Sequence, residues 1–445
     1  MANSRKSKSD LQEHVAGVLS SVVPQGSSLL LGLSGGVDSV VLLHLLARLS
    51  AKLSYQVAAL HVHHGISPYA DQWADFCIGI CAKYSIPLQV ERVDISPLRE
   101  MGIEAAARQL RHAALARQRA DFIVLAHHRD DQAETILLQL LRGAGVRGTS
   151  AMPVHKPRKD APALLRPVLG VDRSELEAYA QKHELRWVED ESNTDVSYPR
   201  NFLRHEVLPI LGQRFPAYRA TLARSASHFA EAAELLDDLA AQDATNAIEG
   251  ERLSVAILRQ LSHARGKNLL RYFLAARSTP IPDTTRLDEM LRQLCEAGAG
   301  AQIRVTWQDW QLRCYQEYAY ALPVSFSAAD FSMVWQGEAE IVLPASHGKW
   351  SFERVIGQGL SLAKLQQGPI TIRSRNGRAV IEMNIDRPRQ RLRNLLQQQG
   401  IPPWQRELLP LLYCGNELVY VPGVAIAERY LAQPEEEGVL FRRQS

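Results

Sequence analysis

From residue 28 to about residue 142, short apolar runs alternate with helical stretches, and this alternation constrains the fold more than any other feature of the chain. "SSLLLGLS" reads as a buried strand, "VDSVVLLHLLARL" as a helix, "QVAALHVHH" as a strand and "ADQWADFCIGICAKYS" as a helix. The rhythm repeats through "PLQVERVDI" (strand), "GIEAAARQLRHAALARQRA" (helix), "DFIVLAHH" (strand) and "DDQAETILLQLLRG" (helix). Strands separated by helices of this length are joined by right-handed crossovers, which predicts a parallel sheet covered on both faces. Ligands bind such sheets outside the carboxyl ends of the strands.

With 445 residues the chain exceeds one ordinary core, so two or three domains are expected. "AMPVHKPRKDAPALLRPVLG" breaks the rhythm and reads as a long loop. From about Phe215 to Cys295 the pattern is helical throughout, and residues 300 to 357 change to short β-like runs. The last unit, from about residue 368, opens with a strand, carries an arginine-rich helix and returns to β-like segments.

The amino end, "MANSRKSKSDLQEHV", lacks the apolar stretch of a signal peptide, and no run of 18 apolar residues occurs, so a cytoplasmic protein without a membrane partner is expected. Five scattered cysteines fit reduced thiols, and Cys77 and Cys81 share a helix face without forming a CxxC pair. The net charge is only +3, so any nucleic-acid surface must be local. One candidate lies between residues 373 and 393, where Arg373, Arg375, Arg378, Arg387, Arg389, Arg391 and Arg393 face only Glu382 and Asp386. Lys156, Arg158 and Lys159 form a second.

The richest chemistry sits in "SGGVDS", residues 34 to 39, between the first strand and the first helix of the rhythm. Gly35 and Gly36 permit close backbone approach, Ser34 and Ser39 add hydroxyls, and the turn through Val37 feeds a helix amino terminus that favours an anion. Phosphate is the natural occupant. The lysine of a Walker loop is absent, and Asp38 would repel phosphate unless a divalent cation lay between them, which points to Mg²⁺ held by Asp38.

"SGGVDS" resembles the signature of the PP-loop, or N-type ATP pyrophosphatase, superfamily. Further stretches narrow the resemblance to the tRNA(Ile)-lysidine synthetase family: "HVHHGI" (61–66), "GIEAAARQLR" (102–111), "LAHHRDDQAET" (125–135), "RGAGVRG" (142–148), "RWVEDESN" (186–193) and "RNFLR" (200–204). The similarity is dense from 28 to about 212 and returns in "IPPWQRELLPLLYCGNELVYVPG" (401–423). It implies an α/β chain with a Rossmann-like parallel sheet of the adenine nucleotide alpha hydrolase-like type, a mainly helical middle domain and a small α+β C-terminal domain. The boundaries expected are 1–214 for the catalytic PP-loop domain, 215–357 for a helical to mixed tRNA-binding domain, and 358–445 for a C-terminal tRNA-binding domain.

The resemblance also implies a reaction. ATP activates the wobble cytidine of a tRNA(Ile) with a CAU anticodon, and L-lysine then replaces AMP at C2, giving lysidine and changing decoding from AUG to AUA. ATP and Mg²⁺ are the expected cofactors. Ser34, Gly35, Gly36, Val37, Asp38 and Ser39 are the expected ATP-binding residues, and Asp38, Arg108, His127, Asp131 and Arg200 the catalytic ones. Asp131, helped by Glu134, is the candidate to orient lysine and accept its proton. Glu104 or Glu189 and Arg200 are open as contacts to the amino acid's termini. A PP-loop thiolase would use active-site cysteines, and none of the five sits in a suitable motif. The oligomeric state is open, a homodimer included.

Overall fold

In a computed structural model, residues 10–298, 301, 303–324, 330–344, 347–375, 378–383 and 390–444 are described. The chain divides into two compact units, one running to Leu235 and one from Leu236.

The first unit opens with helix α1 (Leu11–Val22), which the strand–helix rhythm did not include. Asp10 accepts the Gln12 N–H to start it, and Val15 and Leu19 are fully buried. Strand β1 (Ser28–Gly32) and helix α2 (Val37–Leu53) follow. Nine residues of α2 are buried, among them Leu42, Leu43, Leu45 and Leu46, so its first turns are enclosed on nearly every side. Each such leucine contributes about 1.5–3 kcal/mol by leaving water. A helix this deeply anchored holds its amino terminus at a fixed point of the molecule. Ser54, in the left-handed region at φ 57°, closes it.

Strand β2 (Gln56–His63), helix α3 (Ala70–Lys83), strand β3 (Leu88–Arg92), helix α4 (Ile103–Ala116), strand β4 (Phe122–Val124) and helix α5 (Arg129–Leu141) continue in order. The parallel sheet predicted from the rhythm is present. Its order is β3-β2-β1-β4, with Leu29, Leu30 and Leu31 of β1 opposite Phe122, Ile123 and Val124 of β4. The chain leaves β1 toward β2 and returns to β4 on the other side. That reversal opens a crevice at the carboxyl ends of β1 and β4.

The segment expected to be a long loop instead completes the sheet. After the short helix α6 (Val146–Thr149) come β5 (His155–Lys156) and β6 (Ala163–Leu165), with β6 parallel to β4 and β5 antiparallel at the edge. A three-residue strand is too short to show a period, and Pro162 and Pro167 on its flanks disguise it. Gln132 of α5 pins the approach to it, donating to the Met152 carbonyl at 2.8 Å and accepting the Met152 N–H at 3.0 Å. Helix α7 (Arg173–Lys182) packs beside α2, and α8 (Pro199–Phe202), a π-helical turn (Leu203–Val207) and α9 (Leu208–Arg214) lead into the 30-residue helix α10 (Tyr218–Ala247).

In the second unit the stretch expected to be helical to Cys295 contains a hairpin, Ile248–Glu249 with Arg252–Ser254, turning at Gly250 (φ 58°). Its second strand pairs with Tyr318–Ala319, a partner too distant in sequence to announce itself locally. Helices Val255–Gln260, His263–Ala275 and Thr284–Glu296 accompany that sheet. Among the described residues the carboxyl-terminal part has a five-stranded and a four-stranded antiparallel sheet and a two-stranded pair, Val380–Ile381 with Gln390–Arg391, with a core that includes Trp350, Phe352, Leu412 and Phe441. The arginine-rich segment is not one helix. Arg373 ends strand Ile370–Arg373, Arg391 lies in strand Gln390–Arg391, and Arg393 is the single arginine of helix Leu392–Gln398. Arg387 and Arg389 lie outside the described residues. Among the described residues no helix is long and apolar enough to cross a membrane.

Candidate active site

The loop between β1 and α2 can be built only with glycine at one position. Gly35 has φ 89°, and a Cβ there would meet Val188 Cγ2 at 2.8 Å and Cys77 Sγ at 3.3 Å. Its carbonyl accepts the Val188 N–H at 3.0 Å, which laces the "RWVEDESN" segment to the loop. Ser39, 4% exposed, sets the loop's shape: its hydroxyl accepts the Gly35 N–H (3.2 Å), donates to the Gly36 carbonyl (2.9 Å) and lies 3.1 Å from the Ser34 hydroxyl. Ser34 in turn accepts the Gly36 N–H at 3.4 Å.

These bonds redistribute the donors expected of the loop. The Gly35 and Gly36 N–H groups and the Ser39 hydroxyl are used internally. The first return bond of α2 is from Val40 to Gly36, so the N–H groups of Val37, Asp38 and Ser39 precede it, and no side chain caps them. They and the helix dipole are what the crevice offers an anion.

Asp38 stands at that amino terminus with one oxygen committed and one not. Its Oδ2 is 3.7 Å from His128 Nε2, while Oδ1 is buried without a hydrogen-bond partner. An orphaned carboxylate oxygen beside free helix N–H groups fits a divalent cation shared with a polyphosphate. Among the described residues no group of three or more His, Cys, Asp or Glu forms a metal cage. Mg²⁺ does not require one, since it binds through one or two carboxylates with phosphate oxygens and water.

Helix α5 supplies the opposite wall. His128, 2% exposed, is its N-cap, with Asp131 Oδ2 at 3.4 Å and Asp130 Oδ2 at 3.7 Å besides Asp38. Burial alone would lower the His128 pKa, but the carboxylates of Asp130, Asp38 and Asp131 together outweigh it and raise it to about 10. His127 was the member of this pair expected in the site; His128 is the one that joins the carboxylates of β1–α2 and α5.

Asp131 and Glu134, one turn apart on α5, receive two arginines. Asp131 Oδ1 accepts Arg200 Nη2 at 2.7 Å, and its Oδ2 accepts the His128 backbone N–H at 3.0 Å. Glu134, 1% exposed, accepts Arg200 Nε at 2.6 Å and Arg204 at 2.6 and 2.9 Å. Pro199 starts α8 and the π turn after it carries Arg204 round to the same carboxylates, so "RNFLR" presents both guanidiniums to one helix face. Burial pushes the Asp131 pKa up, but His128 and Arg200 reverse this and hold it below the usual carboxylate value. Burial works against the charged Arg200, and Asp131 and Glu134 more than compensate. Asp130 faces elsewhere, accepting the Arg173 N–H at 3.1 Å and pairing with Arg219 of α10.

His127 is half-buried at the end of β4, where its Nδ1 accepts Arg166 Nε at 3.2 Å. Burial, with Arg166, Arg200 and Arg108 opposing Asp131, lowers its pKa to about 3. Arg108 is exposed on α4 and belongs to this electrostatic neighbourhood, where it also acts on Arg166 and His112. Glu189 is exposed beside Val188, and the Glu104 side chain lies outside the described residues. Cys77 is fully buried beneath Gly35 and burial pushes its thiol up to about 12, which makes it packing and not a nucleophile.

Of the residues expected in the site, Asp38, Asp131 and Arg200 are joined through His128 and the carboxylate–arginine network, and His127 and Arg108 flank it. Four members were missed as principal residues: His128, Glu134, Arg204 and Arg166. The spacing of Glu134 to Asp131 and of Arg204 to Arg200 was visible. Arg166 had no motif to mark it.

The PP-loop domain profile matches residues 6–211, the TilS substrate binding domain 253–320 and the TilS substrate C-terminal domain 370–442. A tRNA(Ile)-lysidine synthase of Nitrosomonas europaea is 44% identical over 431 residues, covering 96% of this chain and 94% of the relative. Relatives of the same name from Azoarcus sp. (39%, covering 93% and 91%) and Coxiella burnetii (38%, covering 93% and 92%) match similarly. Matches of this identity running nearly end to end leave one family: the chain belongs to the tRNA(Ile)-lysidine synthases.

Proposed function

We propose that this chain forms lysidine on a tRNA(Ile) with a CAU anticodon. The cytidine C2 oxygen attacks the α phosphorus of ATP, forming the O2–P bond as the bond to the β-phosphate bridging oxygen breaks and pyrophosphate leaves. The neutral ε-amine of L-lysine then attacks C2, and the C2–O2 bond breaks to release AMP. The observation that carries this reading is the free oxygen of Asp38 at an uncapped helix amino terminus, facing a buried carboxylate–arginine wall across the crevice between β1 and β4.

The first step gathers negative charge on the transferring phosphoryl group and on pyrophosphate, so donors and cations aimed there do most of the work. The N–H groups of Val37, Asp38 and Ser39 bind the polyphosphate, and Asp38 would hold Mg²⁺, which supplies charge neutralisation on the phosphates when bound. Ser34, Gly35 and Gly36 keep the loop open to it. Arg108 approaches from α4 as a second cation for substrate or phosphate.

In the second step lysine's ε-ammonium, with a pKa of about 10.4, gives up one proton to solvent before the neutral amine attacks. Asp131, kept ionised by His128 and Arg200, attracts and orients that ammonium. Its basicity is low, but the nitrogen becomes far more acidic as the C–N bond forms, and Asp131 takes the proton released then. Arg200 and Arg204 hold Asp131 and Glu134 in place. The substrate confines the protein to the compartment that holds tRNA, the cytoplasm.

The test is to incubate the protein with a CAU-anticodon tRNA(Ile) transcript, ATP, Mg²⁺ and lysine, digest the RNA and weigh its nucleosides. A cytidine heavier by one lysine less one water is the expected product. Unmodified cytidine with ATP consumed would overturn the assignment of lysine as nucleophile.

A further inference from the structure

Arg166 lies at the end of β6, 6% exposed, in a segment with no recognisable motif. Its backbone N–H donates to the Val154 carbonyl at 2.8 Å and its Nη1 to the Pro153 carbonyl at 2.9 Å, so the side chain is fixed at both ends. Its Nε donates to His127 Nδ1 at 3.2 Å.

A guanidinium has five N–H donors and no acceptor, so His127 Nδ1 can only be the accepting nitrogen in this pair. A neutral imidazole that accepts at Nδ1 carries its proton on Nε2. The cations around His127 and its burial keep the ring neutral. His127 makes no other hydrogen bond among the described residues, and it is half-buried at the carboxyl end of β4, so its Nε2–H is left for the crevice.

We propose that Arg166 is a positioning residue that locks His127 in the Nε2–H form, making His127 a neutral hydrogen-bond donor to a phosphoryl oxygen of ATP during adenylation. This deepens the lysidine-forming reading and rests on it for the identity of the oxygen. A base at this point would need the proton on Nδ1, which the Arg166 contact forbids. The cytidine O2 is the nucleophile and would be weakened by a donor, whereas the phosphoryl oxygens gain charge and are strengthened by one. A fixed donor aimed where charge develops, in a site that excludes water, is worth far more than in solution.

The experiment uses the full chain labelled with ¹⁵N-histidine and two-bond ¹H–¹⁵N correlation, which separates Nδ1–H from Nε2–H rings. The chain has 14 histidines, and the signals missing in His127→Gln assign the ring in question. The expected wild-type pattern is protonated Nε2 and unprotonated Nδ1. Arg166→Gln should mix the tautomers and slow single-turnover pyrophosphate release by about 10- to 100-fold, the range found when a partner that orients a metal-bound imidazole is removed. The KM for ATP should change much less than kcat, and Arg166→Lys, which keeps a cationic donor, should recover part of the loss. An Nδ1–H ring in the wild type, or an Arg166→Gln protein with unaltered His127 signals or unaltered adenylation, overturns the proposal. If Arg166→Gln does not fold, the wild-type spectrum decides the tautomer and Arg166→Lys its dependence on Arg166. The spectrum requires neither ATP nor tRNA, so a wild type that releases no pyrophosphate defeats the lysidine-forming reading without deciding the tautomer.

Discussion

Replacing Glu134 by alanine should be one of the most destabilising single changes in the first unit. Its carboxylate is 1% exposed and accepts three charge-assisted hydrogen bonds, one from Arg200 and two from Arg204. Removing it leaves two partly buried guanidiniums whose remaining ion-pair partner within 4 Å, among the described residues, is Asp131, at 2.7 Å from Arg200 and 3.6 Å from Arg204. Breaking one side of a buried ion pair costs about 3–5 kcal/mol, because the stranded charge keeps its desolvation penalty. Glu134→Gln retains the shape and one acceptor oxygen and should cost about 1–3 kcal/mol. The assay is urea unfolding followed by circular dichroism, on wild type, Glu134→Ala, Arg204→Ala and the double variant. The double variant should be less destabilised than the sum of the two single changes, since each single change strands what the other removes. A loss below about 1 kcal/mol for Glu134→Ala would place these pairs with solvent-screened surface bridges and refute the reasoning.

Asp38→Ala should abolish pyrophosphate release while tRNA affinity, measured by filter binding, stays within a fewfold of wild type; wild-type release would remove Asp38 from the cation site. Gly35→Ala forces a Cβ to within 2.8 Å of Val188 at φ 89°, so it should cost at least about 1 kcal/mol and raise the KM for ATP, and unchanged stability and KM would contradict the loop geometry. His127 has a folded pKa of about 3 against an unfolded value near 6.5. The unfolded chain therefore binds the extra proton between those values, so this group's contribution is present above about pH 6.5 and is lost as pH falls toward 3. Stability measured from pH 7 to 4 should fall less steeply in His127→Gln than in wild type, and parallel curves would show a charged ring in the fold. Replacing Arg387, Arg389 and Arg391 should weaken tRNA binding and reduce the slope of log affinity against log salt by about one unit per lost phosphate contact, whereas an unchanged slope removes the patch from the interface.

Much of this site was legible because its parts are local. "SGGVDS" lies where an apolar strand meets a helix, and Gly35 bears out the need for glycine there. Glu134 was already named beside Asp131, and the i, i+4 spacing of Arg200 and Arg204 placed those two on one face, although a π turn carries Arg204 there. What escaped was fixed by long-range contacts. Strand β6 is three residues long and is recognisable only by its pairing with β4, so Arg166 looked like a loop arginine until the sheet placed it against His127. His128 joined the site beside His127 only because its ring faces Asp38, a partner 90 residues earlier in the chain. Ser39 was expected to serve the ligand, but its helix geometry turns the hydroxyl back onto Gly35 and Gly36. The hairpin at 248–254 was hidden for the same reason as β6, since its sheet partner at 318–319 lies far along the chain.

The most direct measurement is transfer of labelled lysine to two tRNA(Ile) transcripts, one with the CAU anticodon and one with its wobble base changed to U, in the presence of ATP and Mg²⁺. Label on the first transcript alone, with one AMP and one pyrophosphate released per lysine, is the predicted result. Label on both, or pyrophosphate release from the first without lysine attached, would contradict lysidine formation at the wobble cytidine.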